Sequence, residues 1–210
     1  AAHPRRAVTT PAAVGFPQGA VDCHVHVLDP ARFPYDPGAG YTPVAAETAT
    51  AHQLAALLDA HGVQRVVIID PTSGYDGDSR CLLDALEILG DRARGVVRWS
   101  PRRPPLQAAR LAAMRERGIA GIRIDCVADG IDRLSGPAFE QLVRVAADLD
   151  LVLDVQCERE QLACVAQILR HLPTRNVIDH LGRPDPALGV GDAGFRALLD
   201  LVAHGRTCVK

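Results

Sequence analysis

Apolar residues in this chain fall into short dense runs, separated by longer stretches in which they recur every three or four positions. The runs are "VDCHVHV" (21–27), "RVVIID" (65–70), "GVVRW" (95–99), "GIRID" (121–125), "LVLDVQ" (151–156), "NVIDHL" (176–181) and "TCVK" (207–210). Their β-branched content and length mark them as strands. Between them, stretches such as "QLAALLDAHG", "CLLDALEILG" and "EREQLACVAQILRHLP" carry apolar residues at i, i+3 and i+4, the stripe of an amphipathic helix. Gly62, Gly90, Gly118 and Gly205 follow the last turns, Pro137 suits a first helical position, and Pro173 closes another helix.

After a longer first step, successive strands begin about 25 to 31 residues apart, the size of one βα unit. Seven units in series predict an α/β protein with parallel strands and right-handed crossovers. An open doubly wound sheet and a closed (β/α)8 barrel both have this pattern. No Gly-rich phosphate loop follows the first strand, and polar residues end many strands, as the mouth of a barrel requires. The expectation is therefore a (β/α)8 TIM barrel, truncated after about the seventh strand because only seven strands can be found in 210 residues. Residues 1–20 read as a flexible leader, and 21–210 as a single barrel domain that is C-terminally incomplete.

Composition narrows the function classes. The formal net charge is −2 with basic and acidic residues interspersed, so neither nucleic acid nor a membrane surface is an expected partner. No apolar run approaches the roughly 20 residues that span a bilayer. The six cysteines form no CxxC pair and read as buried, reduced, small hydrophobes of a cytoplasmic protein. No GxSxG elbow supports a serine nucleophile.

The histidines sort by position. His61, His171 and His204 end predicted helices, where the helix dipole favours them; His52 lies on a helix and His3 in the leader. His24, His26 and His180 remain. Strand alternation puts His24 and His26 on one face and Cys23, Val25 and Val27 on the other. In a barrel the apolar face meets helices, so both histidines point inward near the strand's end. His180 ends the sixth strand. Arg123 lies between two isoleucines, so it also faces inward, where a guanidinium requires a carboxylate or an anionic ligand. The carboxylate could be Asp125 or Asp154. Arg183 is a loop residue, either a surface charge or a second anion contact. The loop "DPTSGYDGDS" offers Thr72, Ser73 and Tyr75 as hydrogen-bond donors, or is ordinary turn chemistry around Gly74 and Gly77.

Taken in order, "VDCHVHVLDPARFPYDPGAGYTP", "GIAGIRID" and "VIDHLGRPD" resemble the amidohydrolase-related family of the amidohydrolase superfamily, most closely its 2-pyrone-4,6-dicarboxylate lactonases. The resemblance runs from about residue 21 to 210 and implies a distorted (β/α)8 barrel. It also implies hydrolysis of a lactone, a cyclic ester of a small carboxylated substrate. By the resemblance His24, His26 and His180 surround the scissile carbonyl and polarise it. Arg123 and Arg183 grip substrate carboxylates, Tyr41 belongs to the first active-site loop, and Thr72 and Ser73 fall in a substrate-contacting region.

The pyrone lactonases work without a tightly bound metal, so no cofactor is expected; elsewhere in the superfamily the same histidines bind a divalent ion such as zinc. The expected partner is a small anionic substrate, and a homo-oligomer is compatible with the sequence. The family's general base is an aspartate on an eighth strand, which this stretch does not reach, so the 210-residue chain by itself is expected to be weakly active or inactive. Two alternatives remain: a metal-dependent amidohydrolase or decarboxylase of the same superfamily, and a non-catalytic truncated barrel that self-associates.

Overall fold

A computed structural model describes residues 15–210. The leader expectation falls mostly outside these residues, as does His3. By its internal contacts the chain divides into two compact units. The first comprises residues 15–98 with 116–119, and the second 99–115 with 120–210.

The first unit contains β1 (Val21–Val25), α1 (Ala51–His61), β2 (Arg65–Ile69), α2 (Arg80–Leu89) and β3 (Ala93–Arg98). β1 pairs with β2 and β2 with β3, all parallel. β3 buries all but Arg94, and β2 buries Val66, Ile68 and Ile69, the pattern of strands covered on both faces. Gly95 in β3 shows how closely α2 is applied: a Cβ there would lie 2.6 Å from Ile119 Cδ1 and 2.9 Å from Leu86 Cδ1. β1 departs from regularity. Its register against β2 shifts between Asp22 and Val25, three residues on β1 matching two on β2. Such a bulge re-aims the side chains beside it.

The second unit contains α3 (Ala108–Glu116), most of β4 (Ile119–Asp125), α4 (Cys126–Asp129), α5 (Gly136–Asp148), β5 (Val152–Gln156), α6 (Gln161–Arg170), β6 (Asn176–Ile178), α7 (Ala193–Ala203) and β7 (Thr207–Val209). β4, β5, β6 and β7 pair in chain order, all parallel. Ile122 and Ile124 of β4 and Leu153 and Val155 of β5 are fully buried and form the centre of this unit's core. α5 and α6 present stripes at i, i+3, i+4, such as Leu162, Val165, Ala166 and Leu169.

The predicted seven βα-type strands are all present, and the fold class is the (β/α)8 type. Two readings need correction. Strand six ends at Ile178, not at 181, because the backbone turns left-handed from His180 onward. Of the six cysteines, all free, only Cys81, Cys126 and Cys157 are buried. Cys23 lies beside the β1 bulge, Cys208 on β7, and Cys164 falls off the buried stripe of α6; all three are exposed. Among the described residues no helix is long and apolar enough to cross a membrane.

Candidate active site

The first unit supplies His24 and His26. Their rings meet edge to face, centroids 5.1 Å apart, so the two side chains share a side as alternation predicts, despite the bulge. His26 Nδ1 lies 2.7 Å from the carbonyl oxygen of Ile69. A carbonyl only accepts, so Nδ1 carries the proton, and in the neutral ring Nε2 is the basic nitrogen. His24 is half-buried; its backbone N–H donates to Asp22 Oδ1 at 3.1 Å.

Tyr41, Thr72 and Ser73 belong to two loops of this unit that are joined through Gly74. The Gly74 N–H donates to Tyr41 O and the Asp36 N–H to Gly74 O, each at 2.8 Å. Gly74 has φ +73°, and a Cβ on it would lie 2.8 Å from the Tyr35 ring, so only glycine permits this approach. Thr72 and Ser73 are half-buried, while the Tyr41 side chain is exposed and its hydroxyl donates to Glu47 Oε2 at 2.5 Å. Tyr75 does not offer itself to a ligand: it is buried, and its hydroxyl accepts from the Asp29 N–H at 3.0 Å.

Beneath the second loop lies a polar cluster that the sequence reading missed. Asp70, following β2, is buried and accepts from the Ser79 hydroxyl at 2.7 Å. Burial pushes its carboxyl up to about 6, against the opposing pull of Ser79 and the Arg98 N–H. The Arg98 side chain, at the end of β3, meets Asp76 at 3.1 Å with both side chains buried. Its signal was available: "VVRW" sets an arginine inside an apolar strand just as "GIRID" does.

The second unit supplies Arg123, His180 and Arg183. Arg123 is 3% exposed, with Nε 3.0 Å and Nη2 2.9 Å from Asp179 Oδ2. Nη2 also donates to Gln156 Oε1. Neither expected partner holds it. Asp125 turns instead to cap α4, accepting from the Val127 and Ala128 N–H groups. Asp154 is in register with Arg123 across β4 and β5, but its Oδ2 takes the Lys210 ammonium at 2.6 Å. Lys210 Nζ also lies 3.2 Å from Asp179 Oδ1. The result is a buried alternating chain of charges, Arg123–Asp179–Lys210–Asp154. Burial and the charge of Asp179 push the Asp154 carboxyl up, while Lys210 pulls it back.

His180 follows this cluster directly and is exposed. It opens a left-handed turn: His180, Leu181, Gly182 and Arg183 have φ of 52°, 57°, 68° and 43°. Three of the four are L-residues with a Cβ, each strained by roughly 1–2 kcal/mol in this region. Arg183 is exposed and makes a loose 3.4 Å contact with Glu158. A separate cavity of about 230 Å³ in this unit is lined by Trp99, Arg103, Arg133 and Gln141 among others, with no predicted site residue on its wall.

Comparison with known proteins adds a context to this geometry. A family model described as Amidohydrolase matches residues 21–210. The chain is 33% identical over 185 residues to a 2-pyrone-4,6-dicarboxylate hydrolase of Comamonas testosteroni, covering 88% of this chain and 58% of that protein. It is 27% identical over 197 residues to a 4-sulfomuconolactone hydrolase of Hydrogenophaga intermedia, covering 93% and 63%. The chain thus spans about three-fifths of the length of these relatives. The crystal structure of an amidohydrolase from Burkholderia multivorans with bound zinc superposes with a TM-score of 0.68 at 26% identity, over 91% of this chain and 68% of that one.

Proposed function

The chain belongs to the amidohydrolase family, and from that premise we propose that the protein hydrolyses a lactone of a small, carboxylated substrate such as 2-pyrone-4,6-dicarboxylate. The observation that carries the reading is the edge-to-face pair His24 and His26, with His26 fixed in orientation by Ile69 O. With His180 they act on the scissile carbonyl. Arg183, exposed and loosely held, takes a substrate carboxylate by charge-assisted hydrogen bonds. Arg123 has Nε and Nη2 committed to Asp179 and Gln156, which leaves Nη1 as its edge for a second carboxylate. Tyr41, Thr72 and Ser73 hydrogen-bond the substrate from the joined loops. The relatives' own activities, on a pyrone dicarboxylate and on a sulfomuconolactone, support the same class. A cytoplasmic setting goes with six free thiols.

The tautomer of His26 separates two versions of the chemistry. With Nδ1–H given to Ile69, Nε2 donates to an oxyanion only when the ring is protonated. A well-placed donor contributes roughly 3–4 kcal/mol in the best-studied case. In neutral His26, Nε2 is instead a base or a metal ligand. The second version has His24, His26 and His180 holding a divalent ion, which would polarise the carbonyl and acidify water. The zinc bound to the Burkholderia multivorans amidohydrolase supports this version.

The test follows hydrolysis of the pyrone dicarboxylate by its ultraviolet absorbance, with calorimetry for binding. The dicarboxylate should bind, and Arg183→Met should weaken it about tenfold or more, the size of one charge-assisted contact. Equal binding of an uncharged lactone would overturn the proposal. Metal-free chemistry should survive chelators, whereas the metal version should be abolished by them.

A further inference from the structure

His180 stands on a backbone that its own residues disfavour, so some other part of the molecule must impose that conformation. Two backbone bonds do so from a single residue. The Lys210 N–H donates to Ile178 O at 3.1 Å, just before the turn, and Lys210 O accepts from the Leu181 N–H at 2.8 Å, inside it. The Lys210 side chain is fixed in turn. Its ammonium is largely buried, 2.6 Å from Asp154 Oδ2 and 3.2 Å from Asp179 Oδ1.

Both carboxylates therefore converge on one ammonium. Asp179 is 0% exposed and Asp154 2%. Two buried negative charges gathered in one place repel each other strongly unless a cation lies between them. Lys210 is that cation, and Arg123 completes the balance on the far side of Asp179.

We propose that Lys210 is a positioning residue. Its ammonium locks Asp154 and Asp179 together, and its backbone thereby brackets the left-handed turn that presents His180. The inference deepens the lactone-hydrolase reading, on which its catalytic meaning rests, but the geometry it asserts can be tested apart from turnover.

The test is residue-resolved amide hydrogen exchange on the 210-residue chain, with the His180 ring proton followed by NMR. In Lys210→Met the Leu181 amide should exchange about tenfold faster or more and the His180 signal should move, while amides of Ile122 and Leu153 keep their rates. Adding Asp154→Asn removes one of the two facing charges and supplies an amide donor for Asp179. The double variant should therefore return Leu181 to within about threefold of wild type and restore the His180 signal. A stem that merely fills space would not be rescued this way.

An unchanged Leu181 rate in Lys210→Met overturns the proposal. So does equal acceleration throughout the unit, or a double variant as fast as the single. If Lys210→Met does not fold, Lys210→Gln, which keeps a donor, is read by the same criteria. Failure of wild type to bind the pyrone dicarboxylate counts against the hydrolase reading and leaves the exchange result standing.

Discussion

Asp70 is a carboxylate that folding removes from water, 1% exposed, with a hydroxyl and a distant backbone N–H as its donors. Its carboxyl sits at about 6 in the fold against an ordinary 3.8. A raised acid pKa means that the protonated form is the favoured one in the folded state. Its stabilising contribution is complete below about pH 3.8 and is lost as pH rises through 6. At 1.36 kcal/mol per unit the change is on the order of 3 kcal/mol. Asp70→Asn should remove this slope. In urea titrations the variant should gain on wild type by about 2–3 kcal/mol between pH 4 and pH 7. A pH-independent difference would show that Asp70 is solvated or neutralised.

At this scale the sequence exposed whatever is local. His24 and His26 lie two apart on one strand, and alternation alone put them together. Arg123 was recognisable as an inward guanidinium, but its partner Asp179 lies 56 positions away, and strand alternation does not reach that far. Arg98 has the same signature, an arginine in an apolar strand, but its partner Asp76 lies in a loop that strand alternation does not reach.

The element that sequence periodicity misread is the turn after β6. "NVIDHL" keeps apolar residues as far as Leu181, so a strand-like run persists where the backbone has already reversed its handedness. Nothing in the propensities of His, Leu or Arg signals four successive left-handed residues; long-range bonds to Lys210 impose them. The βα alternation and helix caps were legible because they depend on neighbours three or four residues away. Gly62, for example, ends α1 with φ 68° as its position predicts.

The turn makes a prediction of its own. Leu181 is 57% exposed, so its side chain contributes little burial to offset its strain. Leu181→Asn, a residue that tolerates this region, should raise stability by a few tenths to about 1 kcal/mol. Leu181→Val, branched at Cβ, should lower it by about 1 kcal/mol or more. Gly182→Ala combines φ 68° with a Cβ only 2.7 Å from Leu162 Cδ1 and should cost about 1–3 kcal/mol. Thermal melts of the three variants should therefore rank Asn above wild type, and Val and Ala below it. Asn and Val with equal melting points would mean that the turn relaxes at little cost.

Across the whole molecule, burial is unevenly distributed among the strands that carry the candidate site. β4 is buried along nearly its whole length and β5 through its centre, with Ile122, Ile124, Leu153 and Val155 at 0% exposure. β1 has no fully buried residue: Val21 is 43% exposed, and a bulge interrupts its pairing with β2. β7 is short, with one buried residue of three. Local opening free energy follows buried apolar contact and intact hydrogen bonding, so these strands should not open together. Hydrogen exchange should find β4 and β5 amides slowest, at rates set by global unfolding, and β1 fastest, faster by a factor of about 100 or more. Uniform protection of β1 and β4 would contradict this.

The gradient bears on function because β1 carries His24 and leads into His26, while Arg123 stands on β4. Under the proposed function, a bound dicarboxylate engages both sets of residues. It binds the folded chain only, so it should lower the opening of whatever it contacts in proportion to occupancy. The largest slowing on adding ligand should then appear in β1 and in the loop bearing Thr72 and Ser73. β4 is already at the global limit and has little left to gain. Ligand-induced slowing confined to the second unit would separate the histidine pair from the binding site and remove His24 and His26 from the mechanism.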